Sequence, residues 1–222
     1  DNGDGYIFAS TWLQNVPPNN KLGGDGSHCN PGIRWWFDFI KENYPGESKS
    51  SDIDIVKERV VSEVLKTGID DGRVESIINR MNEDGSFQGI KYLDLSRTAG
   101  FPQRNHTSNL VYLAKAYKIE ASKYYNNSML NEIITRGLKY WVENDFFGDN
   151  WHNNQISTPT NLVNLMLLVG DELPNDLVEK GQPIIGRAHM NASGARPSGD
   201  RIVIAGILAK NLLFKEDQEQ FD

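Results

Sequence analysis

The sequence predicts an all-α fold, an α/α barrel or toroid of which this chain forms an incomplete arc. Three observations carry the prediction. Apolar residues recur at helical spacing in one segment after another, patterns of strand period are almost absent, and long loops join the helices in pairs. A compact four-helix bundle would use shorter connections.

Residues 1 to about 34 are rich in Gly, Asn, Pro and Asp and carry little periodicity, so they read as a loop-dominated lead-in. Within it, Asn2-Gly3-Asp4-Gly5-Tyr6-Ile7 has the alternating oxygens of a calcium loop. It lacks an acid at the closing position, where Thr11 falls, and reads as a plain turn. Trp35, Trp36, Phe39 and Ile40 form one short helix that Pro45-Gly46 stops. The lead-in and this helix make a first segment, 1–52, and the toroid portion is expected over 53–222.

The helices of the second segment follow in order. Asp54 offers an N-cap for Ile55, Val56, Val60, Val61, Val64 and Leu65, with Gly68 as the stop. Val74, Ile77, Ile78 and Met81 line one face of a helix over 70–82. A turn at Asn82 to Phe87 then opens a long irregular connection, expected on the surface, that runs to Pro102. Further helices are expected over 107–121, 128–144, 159–169 (with Pro159 suited to a first turn), 176–185 and 200–215.

Composition narrows the function. Hydrophobic residues make up 38% and charged residues 24%, which fits a globular chain with a proper core. A net charge of −7 without a basic stripe argues against nucleic acid. Arg187, His189, Arg196 and Arg201 nevertheless form a local cationic cluster able to offset that charge within a Debye length. Cys29 is the only cysteine, so an intramolecular disulfide is excluded, and it reads as an isolated loop thiol. No stretch has the apolar length of a membrane span, and no His/Asp/Glu spacing makes a metal site. The polar start is not a signal peptide; a secreted protein has such a start only after processing.

Three segments at helix entrances combine aromatics, amides and cations: Phe101 to His106, Gly148 to Ile156, and Gly186 to Arg201. Alternate loops of a toroid open on one face, so the three are expected to line one cleft. Such a lining suits a sugar polymer. Aromatic faces stack on pyranose rings, amides satisfy hydroxyls, and an arginine forks onto a carboxylate. Trp151, His152, Asn154 and Arg104 are the candidate substrate contacts and Arg196 the candidate carboxylate neutraliser. Two readings stand side by side: Trp151 caps the preceding helix and Arg196 is a solvated charge, or both hold substrate. His152 and His189 are the possible general bases. Asp84, Asp94 and Asp149 are the acids a glycoside hydrolase would need, although they also suit turns and caps. Asn105, Asn126 and Asn191 open N-glycosylation triplets.

From about Ile55 to Phe221 the chain resembles the family-eight polysaccharide lyases, which include chondroitin AC, hyaluronate and xanthan lyases. The likeness is carried by Asn82-Glu83-Asp84-Gly85-Ser86-Phe87, by Asn105-His106 opening a helix, and by Leu138-Lys139-Tyr140-Trp141. Above all it is carried by Asn150-Trp151-His152-Asn153-Asn154-Gln155-Ile156-Ser157-Thr158-Pro159. Ser193-Gly194-Ala195-Arg196 falls where the family has a Gly-Ala-Asn loop. The resemblance implies an N-terminal α/α toroid followed by β-sandwich domains, in a secreted, periplasmic or cell-surface bacterial enzyme. It implies cofactor-free β-elimination beside a uronic acid, an acidic polysaccharide as substrate and the remainder of the lyase chain as partner. Departures are visible. The family's tandem tryptophan is Trp151-His152 here, its acid before the Ile is Gln155, and its carboxylate-neutralising Asn aligns with Arg196. The family's catalytic His and Tyr fall beyond Asp222, so this chain is expected to be inactive alone. A non-catalytic glycan-binding module and an α/α-barrel glycoside hydrolase are the alternatives.

Overall fold

The computed structural model describes residues 52–192, 195 and 199–216. The expectations for the turn at Asn2, for Cys29, for the helix at Trp35 to Ile40 and for Ser193, Gly194 and Arg196 lie outside the described residues.

Among the described residues there are seven α-helices and no named strand. They are α1 (Asp52–Leu65), α2 (Asp71–Asn79), α3 (Arg104–Lys118), α4 (Ser128–Asn144), α5 (Thr158–Val169), α6 (Asn175–Ile185) and α7 (Gly199–Lys215). Local chemistry sets the starts. The Asp70 carboxylate accepts from the Arg73 N–H at 2.7 Å, and the Asn127 amide oxygen accepts from the Leu130 N–H at 3.0 Å. Pro159 sits in the first turn of α5, where its missing N–H is not needed. The periodicity places α4 to α7 within one residue of where they lie, whereas α1 begins at Asp52 and α3 at Arg104, each three residues early.

The arc is built in two layers. In the first, α3, α5 and α7 lie side by side, and side-chain bonds show that they run parallel. Asn161 donates to Thr107 at 2.9 Å, and Lys118, 11 residues beyond Thr107, reaches Glu172, 11 beyond Asn161. Lys210 donates to Asn164, and the Phe214 ring lies on Gly170. In the second layer α4 packs on α3 and α6, while α6 packs on α5. The loop-bearing N-termini of α3 and α5 therefore open at one end of the layer.

Within the first layer α5 has α3 and α7 on its flanks and also packs on α6 and on α1, which explains its composition. Leu162, Val163, Leu165, Met166, Leu167, Leu168 and Val169 are all buried, so the apolar residues cover most of the helix and leave Asn161 and Asn164 for polar contacts with α3 and α7. α1 crosses the C-terminal halves of the parallel helices. Ile53 packs with Leu167 and Leu213, Lys57 reaches Glu216 at 3.0 Å, and Lys115 donates to Thr67 just past the end of α1.

The connection between α2 and α3 departs from the expected surface loop, because its first part is pulled inward. Gly85, Ser86 and Phe87 are buried, and Phe87 makes an isolated antiparallel bridge with Met81. A buried polar relay holds it. The Phe87 N–H donates to the Tyr92 hydroxyl, which donates to His106 Nδ1, and His106 Nε2–H donates to the Gly137 carbonyl, each at 2.8 Å. Gly137 admits the contact between α3 and α4, since a Cβ there would stand 2.5 Å from a Leu110 methyl. Phe87, Tyr140 and Trp141 crowd the imidazole. Burial holds His106 down at about 4, despite the Gly137 bond and the Asp84 charge, so it is neutral at pH 7. Burial likewise raises Tyr92 and keeps it a phenol.

Candidate functional site

The open end of the parallel layer collects the three segments singled out from the sequence, and each is fixed by a different device. In the first, Phe101 is buried with a left-handed φ of 55°. Gln103 is fully buried and its amide nitrogen lies 2.9 Å from each of the Lys91, Tyr92 and Asp94 carbonyls, which fastens the loop before α3. His106 belongs to the core relay. Of this segment only Pro102, Arg104 and Asn105 are left to face outward, with Arg104 exposed in the first turn of α3.

The second segment is clamped by Asn154. Its amide oxygen accepts from the Gly148 N–H at 3.0 Å and its amide nitrogen donates to the Gly148 carbonyl at 2.7 Å. With 3% of its surface exposed, Asn154 spends its hydrogen-bonding capacity on the backbone and closes the loop on itself. Gly148 has to be glycine here, because a Cβ would stand 2.7 Å from the Phe101 ring. That contact, with the Asp149 N–H donating to the Leu95 carbonyl at 3.1 Å, joins the second segment to the first.

A π-helical turn, Asn153–Ser157, leads into α5 and carries the two rings just ahead of it. Widened turns of this kind re-aim side chains and are frequent at functional sites. Trp151 is half-buried: part of it packs on the core and the rest is open. His152 meets it edge to face, with ring centroids 5.5 Å apart, and its Nδ1 lies 3.3 Å from the Ser157 hydroxyl. The His152 N–H donates to the Asn150 side chain, a local turn that sets the direction of both rings.

The third segment is tied by Arg187 to the stretch just before the second. Its guanidinium pairs with Asp145, the left-handed cap of α4, and lies 5.1 Å from the Phe147 ring centroid. The π-turn also packs on α7, whose first residues close the third segment. Arg187 is thus occupied in binding two loops together, while His189 and Arg201 are exposed. Sequence reading missed Asp145 and Phe147. The available signal was Phe146-Phe147 directly after the α4 period ends, where one ring turns inward and the next, Phe147, is left 58% exposed.

At this end, therefore, an indole, an imidazole and an outward phenyl ring stand with Arg104, Asn105 and His189 on a rigid base of amide clamps. The chemistry on offer is stacking plus hydrogen bonding, which suits a sugar chain. Two of the three candidate acids are engaged in local turns. Asp84 is bound by the Ser86 hydroxyl and N–H, which hold it below the usual carboxylate range, and Asp94 accepts from Ser96. Among the described residues no group of three or more His, Cys, Asp or Glu is placed to hold a metal ion. No described helix is long and apolar enough to cross a membrane.

Comparison with known proteins decides the family. Residues 51–192 match the model of the polysaccharide lyase family 8 N-terminal alpha-helical domain. The chain belongs to polysaccharide lyase family 8. It is similar to chondroitinase AC of Pedobacter heparinus, 32% identical over 95 residues, covering 43% of this chain and 13% of that protein. Among solved structures it is similar to a chondroitinase AC lyase described with bound oligosaccharides, at 26% identity and a TM-score of 0.68. That match covers 77% of this chain and 25% of the lyase. A Paenibacillus xanthan lyase matches at 17% identity with a TM-score of 0.58, over 83% of this chain and 18% of its own, and shows the fold alone. The family 8 chain thus spans a quarter or less of each of these relatives. Arg196 lies beyond the matched residues.

Proposed function

We propose that this chain is the N-terminal toroid portion, over 53–222, of a secreted bacterial lyase that cleaves uronic-acid glycans of the chondroitin or hyaluronan kind by β-elimination. The loop face holds the substrate in this reading. Trp151 stacks on a sugar ring, His152 and Arg104 bond its polar groups, Asn154 keeps the Trp151 loop in shape, and Arg196 neutralises the uronate. Removing the C5 proton makes an enolate-like charge on that carboxylate, so a cation beside it lowers the barrier to the step. The base that takes this proton and the acid that protonates the leaving oxygen come from a further part of the polypeptide.

The observation that carries the reading is the Trp151-His152 pair, aimed out of a π-turn at the open end of a family 8 helical domain. A second observation supports the missing part. α7 leaves Ile202 76% and Val203 44% exposed, an apolar face suited to further helices of the same polypeptide, as expected when the matched part of this chain covers only 25% of a solved relative. The test is the product. The chain joined to the next stretch of its own gene should release unsaturated uronyl ends that absorb in the ultraviolet, while residues 1–222 alone release none. Saturated reducing ends instead would make the protein a hydrolase, and no product from chondroitin, hyaluronan or xanthan would remove the lyase reading.

A further inference from the structure

A cleft of about 350 Å³ lies under α1, lined by Val60, Glu63, Val64, Thr67, Lys115, Asn164 and Lys210. It is well separated from the loop face. Lys115 is 11 residues beyond Arg104 along α3, about 16 Å at the helical rise of 1.5 Å per residue. Two ammonium groups border it, and each is bound to a neutral oxygen: Lys115 to the Thr67 hydroxyl at 2.7 Å and Lys210 to the Asn164 amide oxygen at 2.9 Å. Neither forms an ion pair among the described residues, although seven other lysines or arginines do. Glu63, the one acid in the lining, is turned to Lys66 at 3.3 Å with 72% of its side chain exposed.

The donor count gives the cleft its sign. A lysine has three N–H donors and a primary amide two, so Lys115, Lys210 and Asn164 each keep donors beyond the bonds they make. Asn164 has turned its acceptor to Lys210, and its N–H₂ has no hydrogen-bond partner among the described residues. Burial lowers both lysines, so unmatched positive charge sits in a partly dry site, which an anion would relieve. Val60 and Val64 supply an apolar wall, and the volume is at the small end of ligand pockets.

We propose that this cleft between α1 and the α3–α5–α7 layer is an oxyanion-binding site in which Lys115, Lys210 and Asn164 hold a sulfate or carboxylate group. The site stands apart from the catalytic reading, because it needs neither the loop face nor turnover. The group has two possible sources, a free inorganic anion or a sulfate or uronate carried by a small saccharide.

The test titrates the full chain with sodium sulfate and, separately, with a sulfated chondroitin disaccharide at constant ionic strength. Binding is followed by calorimetry and by NMR of the lysine side chains. Saturable binding that moves the Lys115 and Lys210 signals is expected. Charged hydrogen bonds are worth enough that Lys115→Met and Lys210→Met should each weaken it roughly tenfold or more, while the exposed Lys139→Met should not. Sulfate binding alone identifies a free anion, and tighter binding of the disaccharide identifies a saccharide-borne group; both support the site. Absence of saturable lysine shifts with either probe in the unmodified chain, or equal affinity in the Lys115, Lys210 and Lys139 variants, overturns it. Because the unmodified chain alone can give the negative result, a variant that failed to fold would not protect the proposal.

Discussion

Replacing Gly85 with alanine should lower the unfolding free energy by about 2–5 kcal/mol, the sum expected from a left-handed backbone penalty and an overpacked contact. Gly85 has φ +93°, and a Cβ there would stand 2.3 Å from the Arg136 carbonyl oxygen, 2.8 Å from its carbon and 3.1 Å from Tyr140 Cβ. The obstacle is backbone in the middle of α4, so no side-chain rotation relieves it. Gly89, four residues on, supplies the comparison. Its φ is +84°, but a Cβ there meets nothing within 4 Å, so Gly89→Ala should cost only about 1–2 kcal/mol from the backbone term. Urea unfolding of both variants separates the causes. Equal midpoints would mean that the Met81–Phe87 turn does not sit against α4 as described.

Acid should weaken the fold through His106 by about 3 kcal/mol between pH 6.5 and pH 4. In the unfolded chain this imidazole takes up a proton near 6.5, whereas in the folded chain burial holds it at about 4. Between those values the unfolded state binds the extra proton, so stability falls as pH falls, and below about 4 both states are protonated and the loss stops. At about 1.4 kcal/mol per pH unit, the interval gives the figure stated. Asp84 also loses its favourable bonds in acid, so the His106 share is taken as the difference from a His106→Gln variant, whose profile should be flatter over this interval. Imidazole NMR of the folded chain gives a second readout. His106 should keep its neutral signals at pH 5.5, and titration near 6.5 would contradict the buried relay.

Much of the fold was legible because α4 to α7 carry apolar residues at helical spacing, and α4 and α5 also have a cap or a proline at the start. The inward pull of residues 85–87 and the burial of His106 were not legible, because they depend on contacts distant in sequence. His106 needs Tyr92 on one side and the Gly137 carbonyl on the other, and neither is within a helical turn of it. The same limit applied at the site. Trp151 and His152 stood out as aromatics at a helix entrance, and the structure gives them a half-open position. Asn154 looked equally suited to a sugar hydroxyl, yet its amide is matched to Gly148, six residues earlier. Polar residue type suggests a binding role, but burial and partner decide how the group is used.

The central claim is that the loop face, and Trp151 in particular, receives an acidic glycan. Its most direct test is an NMR titration of the full chain with a size-defined chondroitin oligosaccharide, repeated on Trp151→Ala and Arg196→Ala. The account predicts saturable shifts of the Trp151 indole N–H and of amides in 101–106 and 148–157. Affinity should fall roughly tenfold in Trp151→Ala, the scale of a lost aromatic anchor. Shifts confined to residues away from these loops, or unchanged affinity in both variants, would contradict it.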